Sequence, residues 1–328
     1  MSLEHEEEFH NCFEALTDSP ESSPSSSFSL KKSLNDDGCS SIRTASFSQS
    51  TSSNGAFDED SPIANVPKTC GYCSTFDAGT FRVRGKNYKR DKMKFEAGPS
   101  LFRYLASDIV QVDDYVRTGF CKLPNERIQL ALEREKEMHS KGLPSDMPPY
   151  VVAVNIIMPG PPCYHMVYYY AVDDMSTIDG TDGTPSSRLA RKFFFEEDDE
   201  FRNDTFKLIP RIAKGNIFVK KAVGTTPTIL GRKIDVKYEF GDRFCEIICD
   251  ATSSQVANKV CTLVNSYAKS LVVEMAFLLE GHDITMLPER IFGCIRLTHV
   301  DFSKIRVVRT KNIENGEEED RSDESTSS

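Results

Sequence analysis

The sequence predicts an α+β domain in which a curved antiparallel sheet packs on a long C-terminal helix. Three observations carry this expectation. In residues 251–281, Val256, Val260, Leu263, Val264, Tyr267, Leu271, Met275 and Leu278 recur at three- and four-residue steps, the period of a helix with one buried face. Thr252, Ser253 and Ser254 open the stretch as helix-capping residues and Gly281 closes it. A helix of that length would be roughly 40 Å long, enough to cross a small domain. Next, Ile234, Val236, Tyr238 and Phe240 alternate with Lys233, Asp235, Lys237 and Glu239, and Gly241-Asp242 then turns the chain, the pattern of a hairpin. Finally, the proline-rich turn 158–164 joins two strong apolar runs, as between antiparallel strands.

Taken in order, strands are predicted at 81–84, 101–112, 150–158, 164–172, 216–223, 228–240, 243–250 and 291–300, and further helices at 126–140 and 187–199. Residues 129–149 contain a charged stretch that reads as surface helix and loop. A membrane span over 261–279 is set aside, because Asn265, Ser266, Lys269 and Glu274 interrupt it and charges near a bilayer centre are costly.

The charge is uneven. Residues 1–60 carry three Lys/Arg against 12 Asp/Glu and hold 16 serines, and residues 311–328 carry two against seven. Segments so poor in aliphatics cannot bury enough surface to offset their ordering entropy. The expected organisation is a disordered Ser-rich acidic tail (1–65), one folded domain (66–310) and a second disordered acidic tail (311–328). Ser19, Ser23 and Ser61 precede prolines, and Ser46 follows Arg43 at a basophilic-kinase spacing; these four are candidate phosphorylation sites, with a merely solvated tail as the plain alternative. The acidic N-terminus has no apolar signal region, so a cytoplasmic chain with reduced cysteines is expected.

Catalytic patterns are scarce. The chain lacks GxSxG, P-loop, GxGxxG and HExxH motifs, and no enzymatic activity and no cofactor are expected. Cys70-x-x-Cys73 has no second ligand pair at zinc spacing, so no metal is expected, and a redox role is disfavoured because the pair precedes the first strand. His165 reads as a satisfied core histidine, and the carboxylates 196–200 read as a solvated helix end.

The positive signal is 81–94, where Arg82, Arg84, Lys86, Lys89, Arg90, Lys92 and Lys94 are opposed by Asp91 alone and Gly85 and Asn87 mark a turn. Such a loop suits anionic lipid headgroups, at roughly 1 kcal/mol per cation near the surface. A solvated strand edge is the alternative. Phe81, Tyr88 and Phe95 interleave with the cations, yet no nucleic-acid motif is present and no nucleic acid is expected as partner. The apolar face Val260, Val264, Tyr267, Leu271 and Met275 could line a lipid cavity beneath the long helix, or fill the space completely.

Six separated stretches then occur together: Phe81-x-Val83-Arg84-Gly85-x-Asn87-Tyr88, Val154-Asn155 with Pro159-Gly160-Pro161-Pro162, Phe201-Arg202-Asn203-x-x-Phe206-Lys207-Leu208-Ile209-Pro210, Val223-Gly224-x-x-Pro227-x-x-Leu230-Gly231, residues 270–278, and Leu287-Pro288-Glu289-Arg290. In this order they resemble the C-terminal domain family of plant Enhanced Disease Resistance 2, over about 75–305. The resemblance implies a lipid-responsive regulator at endomembranes and no known catalytic residue. In the plant protein the domain follows pleckstrin-homology and START lipid-binding domains. Only about 70 residues precede the motifs here, so those modules are not expected and their lipid binding is not carried over. The chain departs from the family in having no tryptophan, with Ile217 where members place one, and in an apparent insertion at 133–149. A START-like helix-grip is then an open option for the fold. The expected function is a non-enzymatic domain that associates with lipid or membrane, peripheral on endomembranes, its partners anionic membrane lipids or a bound lipid. Its rivals are a phosphorylation-regulated protein-interaction module, with protein partners, and an unrecognised hydrolase.

Overall fold

The chain divides into two units, Met1–Ser52 and Ser53–Ser328. The computed structural model describes residues 70–112, 119–145 and 147–308, all in the second unit. The expected tails and Ser19, Ser23, Ser46 and Ser61 lie outside the described residues.

In chain order the elements are β1 (Cys73–Ser74), β2 (Arg82–Arg84), α1 (Tyr88–Asp91), β3 (Lys94–Glu96), β4 (Arg103–Val112), α2 (Arg127–Ser140), β5 (Tyr150–Met158) and β6 (Cys163–Val172). Next come α3 (Ser176–Asp179), α4 (Pro185–Arg191), α5 (Asp199–Thr205), β7 (Phe206–Lys214), α6 (Ile217–Val223) and β8 (Thr228–Ile229). The last are β9 (Asp235–Gly241), β10 (Phe244–Asp250), α7 (Gln255–Tyr267), β11 (Val272–Leu279), β12 (Ile291–Thr298) and β13 (Arg306–Val308).

Two sheets face each other. One is ordered β13-β4-β6-β5-β10-β9, the other β1-β12-β11-β7-β8, and β2-β3 form a separate hairpin. The five-stranded sheet is antiparallel throughout. The six-stranded sheet is mixed, because β10 runs parallel to β5 and β13 parallel to β4. That corrects the all-antiparallel expectation: the chain crosses between sheets before β10 instead of folding back beside β6.

Aromatic rings fill the space between the sheets. Tyr168 and Tyr170 of β6 meet Phe277 of β11 at 6.2 and 6.3 Å between ring centroids, and Tyr170 meets Phe292 of β12 edge-on at 6.4 Å. Gly293 makes room for this: a Cβ there would lie 2.7 Å from the Tyr170 ring. Such pairs add about 0.5–1.5 kcal/mol each beyond their burial. Outside, α2 covers the six-stranded sheet through Ile128 and Ala131, and Phe81 and Val83 pack on Ile209, Ala276 and Leu278 of the five-stranded sheet.

The long helix does not exist. Residues 251–281 are the helix α7, a 3₁₀ turn Ala268–Ser270 and the strand β11. β11 is central, paired on both sides and buried on both faces. Its unbroken apolar run therefore carries no alternation, and a continuous apolar run cannot tell a buried strand from a buried helix. Among the described residues no helix is gripped by a curved sheet, so the helix-grip option is replaced by two packed sheets, still α+β. At 216–223 the predicted strand is the helix α6: the Asn216 side chain accepts from Phe218 N at 2.8 Å and caps it. The predicted helix 187–199 starts earlier, with Thr184 capping at Ser187 N, and breaks at Glu197 before α5 begins. The strand β7 escaped prediction because it holds Pro210. β8 pairs only Lys207 and Leu208, so β7 is an edge strand at Pro210, where proline is tolerated.

Candidate functional site

The basic segment forms a small roof on the five-stranded sheet. β2 and β3 pair with Arg84 opposite Lys94. Gly85 N donates to Met93 O at 3.1 Å and Tyr88 N to Gly85 O at 3.0 Å. Gly85 is required here, since the Phe95 ring would lie 2.4 Å from any Cβ. The single turn α1 ends at Lys92, whose φ is 58°.

Arg84 leaves the group of free cations. Its Nη1 lies 2.6 Å from Glu280 Oε1 and its backbone N donates to Glu289 Oε2 at 3.1 Å. Glu289 N returns a bond to Arg84 O at 3.0 Å. Behind them the buried Lys207 pairs with Glu280 at 3.1 Å and with Glu289. Burial works against the charge on Arg84, yet Glu280 and Glu289 hold its pKa above the ordinary value. Burial likewise opposes ionisation of Glu280, but Lys207 and Arg84 hold its carboxyl below the usual range. The roof is thus fastened by a charged, hydrogen-bonded network and an apolar contact together.

The remaining cations face outward. Arg82, Lys86, Lys89, Arg90 and Lys92 are exposed and Lys94 is half-buried. Arg82 Nη2 donates to Lys94 O at 2.7 Å, Arg90 Nη2 to Asn87 Oδ1 at 3.0 Å, and Lys92 Nζ sits 5.6 Å from the Tyr88 ring centre. Among them two apolar side chains stand in solvent, Met93 at 50% and Phe95 at 56% exposure. Sequence reasoning counted the charges but missed Lys207, Glu280 and Glu289; Lys207 and Glu289 sit in two of the stretches that carry the family resemblance.

The five residues expected to line a cavity do not share a face. Val260 and Val264 are half-buried on α7 and Tyr267 is exposed. Leu271 is buried with Ile212 and Val219, while Met275 belongs to the core between the sheets. A cavity of about 20 Å³ lies by Phe102, Phe194 and Phe292, room for about one water. An open cleft of about 400 Å³ is bounded by Asp198, Glu200, Asp204, Phe201 and His282. Neither lies beneath α7.

His165 is only half satisfied. Its Nδ1 lies 3.1 Å from Asn155 Nδ2 and its buried Nε2 has no partner. Burial pushes its pKa down to about 4. Asn155 Nδ2 also donates to the buried Glu246 at 2.8 Å, whose other donors are Phe120 N and Cys121 N. Burial pushes that carboxyl up. The cluster Glu196–Glu200 is a solvated end as expected: Glu196 and Glu197 pair with Arg191 and Lys192, and Asp198 caps α5. Among the described residues no group of three or more His, Cys, Asp or Glu could hold a metal, and no helix is long and apolar enough to cross a membrane.

The fold and site together define a two-sheet α+β domain with an ion-pinned basic roof. Residues 73–301 match the family described as Protein ENHANCED DISEASE RESISTANCE 2, C-terminal. The chain belongs to that family. It is similar to a protein of Arabidopsis thaliana described as Protein ENHANCED DISEASE RESISTANCE 2-like, 38% identical over 231 residues, which cover 69% of this chain and 28% of the relative. The chain therefore spans well under a third of that relative's length. No solved structure matches.

Proposed function

We propose that the domain is a non-catalytic regulatory module that docks on the anionic cytoplasmic face of endomembranes through its basic roof. The observation that carries this reading is the composition of that roof: exposed Lys86, Lys89, Arg90 and Lys92 around the solvent-facing Met93 and Phe95. Cations meet headgroups, and the two apolar side chains reach the acyl boundary. A bare solvated edge needs the lysines but gains nothing from Met93 and Phe95. The relative's name speaks of disease resistance, and a regulatory role in that process is the matching inference for this chain. A bound lipid in the core has less support, since aromatic rings occupy it.

The rival, a protein-interaction module, has an observation of its own. Ile217 and Phe218 at the start of α6 are 70% and 60% exposed. Liposome sedimentation of the full chain separates the two. Binding to vesicles containing phosphatidylserine or phosphatidylinositol phosphates should fall with salt and vanish with neutral vesicles. Replacing Lys86, Lys89, Arg90 and Lys92 by Ala removes four contacts at about 1 kcal/mol each, roughly a thousandfold in affinity. Full binding by that variant, with loss in Ile217→Ser/Phe218→Ser, would move the contact to α6.

A further inference from the structure

Cys70 and Cys73 lie where the two sheets meet. Cys70 N donates to Ser107 O of β4 at 3.0 Å, which ties it to the six-stranded sheet. Cys73 pairs with Leu297 of β12, and Thr298 N donates to Tyr72 O at 2.8 Å, which ties it to the five-stranded sheet. The four residues Cys70-Gly71-Tyr72-Cys73 form a turn closed by Cys73 N donating to Cys70 O at 3.4 Å. The turn brings the two sulfurs within 3.2 Å. Cys70 Sγ is also 3.3 Å from Ser107 Oγ, which accepts from Tyr104 OH at 2.9 Å.

A disulfide needs the two Cα atoms about 4.4–6.8 Å apart, and the ends of a four-residue turn are within about 7 Å. We propose that Cys70 and Cys73 are a reversible redox modification site, oxidised to an intramolecular disulfide by a low-molecular-weight disulfide such as oxidised glutathione, and that the bond locks the junction of the two sheets.

The chemistry is thiol–disulfide exchange. The Cys70 thiolate attacks one sulfur of oxidised glutathione; the S–S bond of glutathione breaks and one glutathione leaves. The Cys73 thiolate then attacks the Cys70 sulfur of the mixed disulfide, the Cys70–Cys73 bond forms and the second glutathione leaves. The protons of the two protein thiols end on the two glutathione thiols. The protein loses two electrons and glutathione disulfide gains them.

The surroundings favour this pair over the other thiols. The hydrogen bond with Cys73 holds Cys70 below the ordinary thiol value, against the effect of burial. The same bond and burial push Cys73 up, so it enters only once Cys70 is no longer an anion. Burial pushes Cys121, Cys245 and Cys249 up, and Cys261 to about 11. Among the described residues Cys70 is the thiol best placed to react first. Both cysteines are half-buried, whereas Cys121, Cys245 and Cys249 are fully enclosed.

The test uses the full chain in buffers of reduced and oxidised glutathione, followed by alkylation, trypsin and mass spectrometry. Lys68 and Arg82 bound a peptide that contains Cys70 and Cys73 and no other cysteine. The expected result is a peptide lighter by about 2 Da that resists alkylation, restored by dithiothreitol. The Cys73→Ser chain should instead accumulate glutathione on Cys70. Hydrogen exchange at Thr298 should slow at least tenfold in the oxidised wild type. Alkylation of both cysteines after oxidation, or a lasting glutathione adduct on the wild type, overturns the site. A disulfide with unchanged exchange at Thr298 overturns the lock.

Discussion

On the outer face of the six-stranded sheet, charge is closed in. Arg127, fully buried, donates from Nε and Nη2 to Asp108 at 3.0 and 2.7 Å, and Glu246 is enclosed by backbone N–H groups and Asn155. On the outer face of the five-stranded sheet, charge leads outward. Glu274 of β11 sits between Arg211 and Arg296 on the neighbouring strands, and Lys207, Glu280 and Glu289 continue to Arg84 and thence to an exposed basic turn. Arg211 and Arg296 also stack on Phe81 and Phe76 at 4.4 and 5.1 Å. The first face keeps its charges inside the fold. The second couples the sheet to the basic surface, so on the docking proposal its substitutions should change vesicle binding as well as folding.

The sharpest way to break this contrast is Asp108→Ala. It leaves Arg127 buried without its carboxylate, which should cost about 3–5 kcal/mol. A melting temperature like that of wild type would show that the enclosed pair holds nothing, and membrane binding per folded molecule should be unaltered.

Acid should also attack the enclosed face first. His165 has a folded-state pKa of about 4 against about 6.5 in an unfolded chain. Between these values the native state binds fewer protons, so stability rises with pH and is lost as pH falls from about 6.5 toward 4. The loss amounts to about 3 kcal/mol. Glu246, raised by burial, acts in the opposite sense above its unfolded value and offsets part of it. Urea midpoints measured across this range should be steeper in wild type than in His165→Gln; parallel curves would dismiss the assignment.

A third effect tests the coupling itself. Arg84→Ala should cost about 2 kcal/mol, the worth of a charge-assisted bond in a half-buried site. It should also weaken vesicle binding about tenfold by loosening the roof. Loss of stability with full vesicle binding would separate the network from the surface. The smallest effect on stability belongs to the exposed cations: Lys86, Lys89, Arg90 and Lys92 to Ala should stay within about 0.5 kcal/mol in thermal unfolding.

Much of the six-stranded sheet was legible in the sequence. The β9–β10 hairpin shows clean alternation because one face of β9 is solvated, and β5 and β6 are apolar runs on either side of an obvious proline turn. The helix predicted at 126–140 is found as Arg127–Ser140. The five-stranded sheet was legible only in part: β12 is predicted at 291–300 and is found as Ile291–Thr298, but β11 and the neighbouring α6 are misread, each for a physical reason. β11 is buried on both faces and so has no period of two. At α6, three apolar residues in a row read as a strand, and one capping bond from Asn216 decides otherwise. The site was half legible. Cations can be counted from the sequence, but Arg84 is distinguished from its neighbours by Glu289, 205 residues away.

The pairing of β1 with β12 sets a timetable. Cys73 finds its ladder partner only when Leu297 has been made, and β13 must follow before that edge of β4 is covered. At about 5–20 residues per second of synthesis the wait is roughly 10–45 s. Through most of that interval Ser107 is already made, while Cys73 still lacks Leu297 and Tyr72 still lacks Thr298. A chain with such distant closures folds slowly, and a stop anywhere before β12 would leave both sheets without their seam.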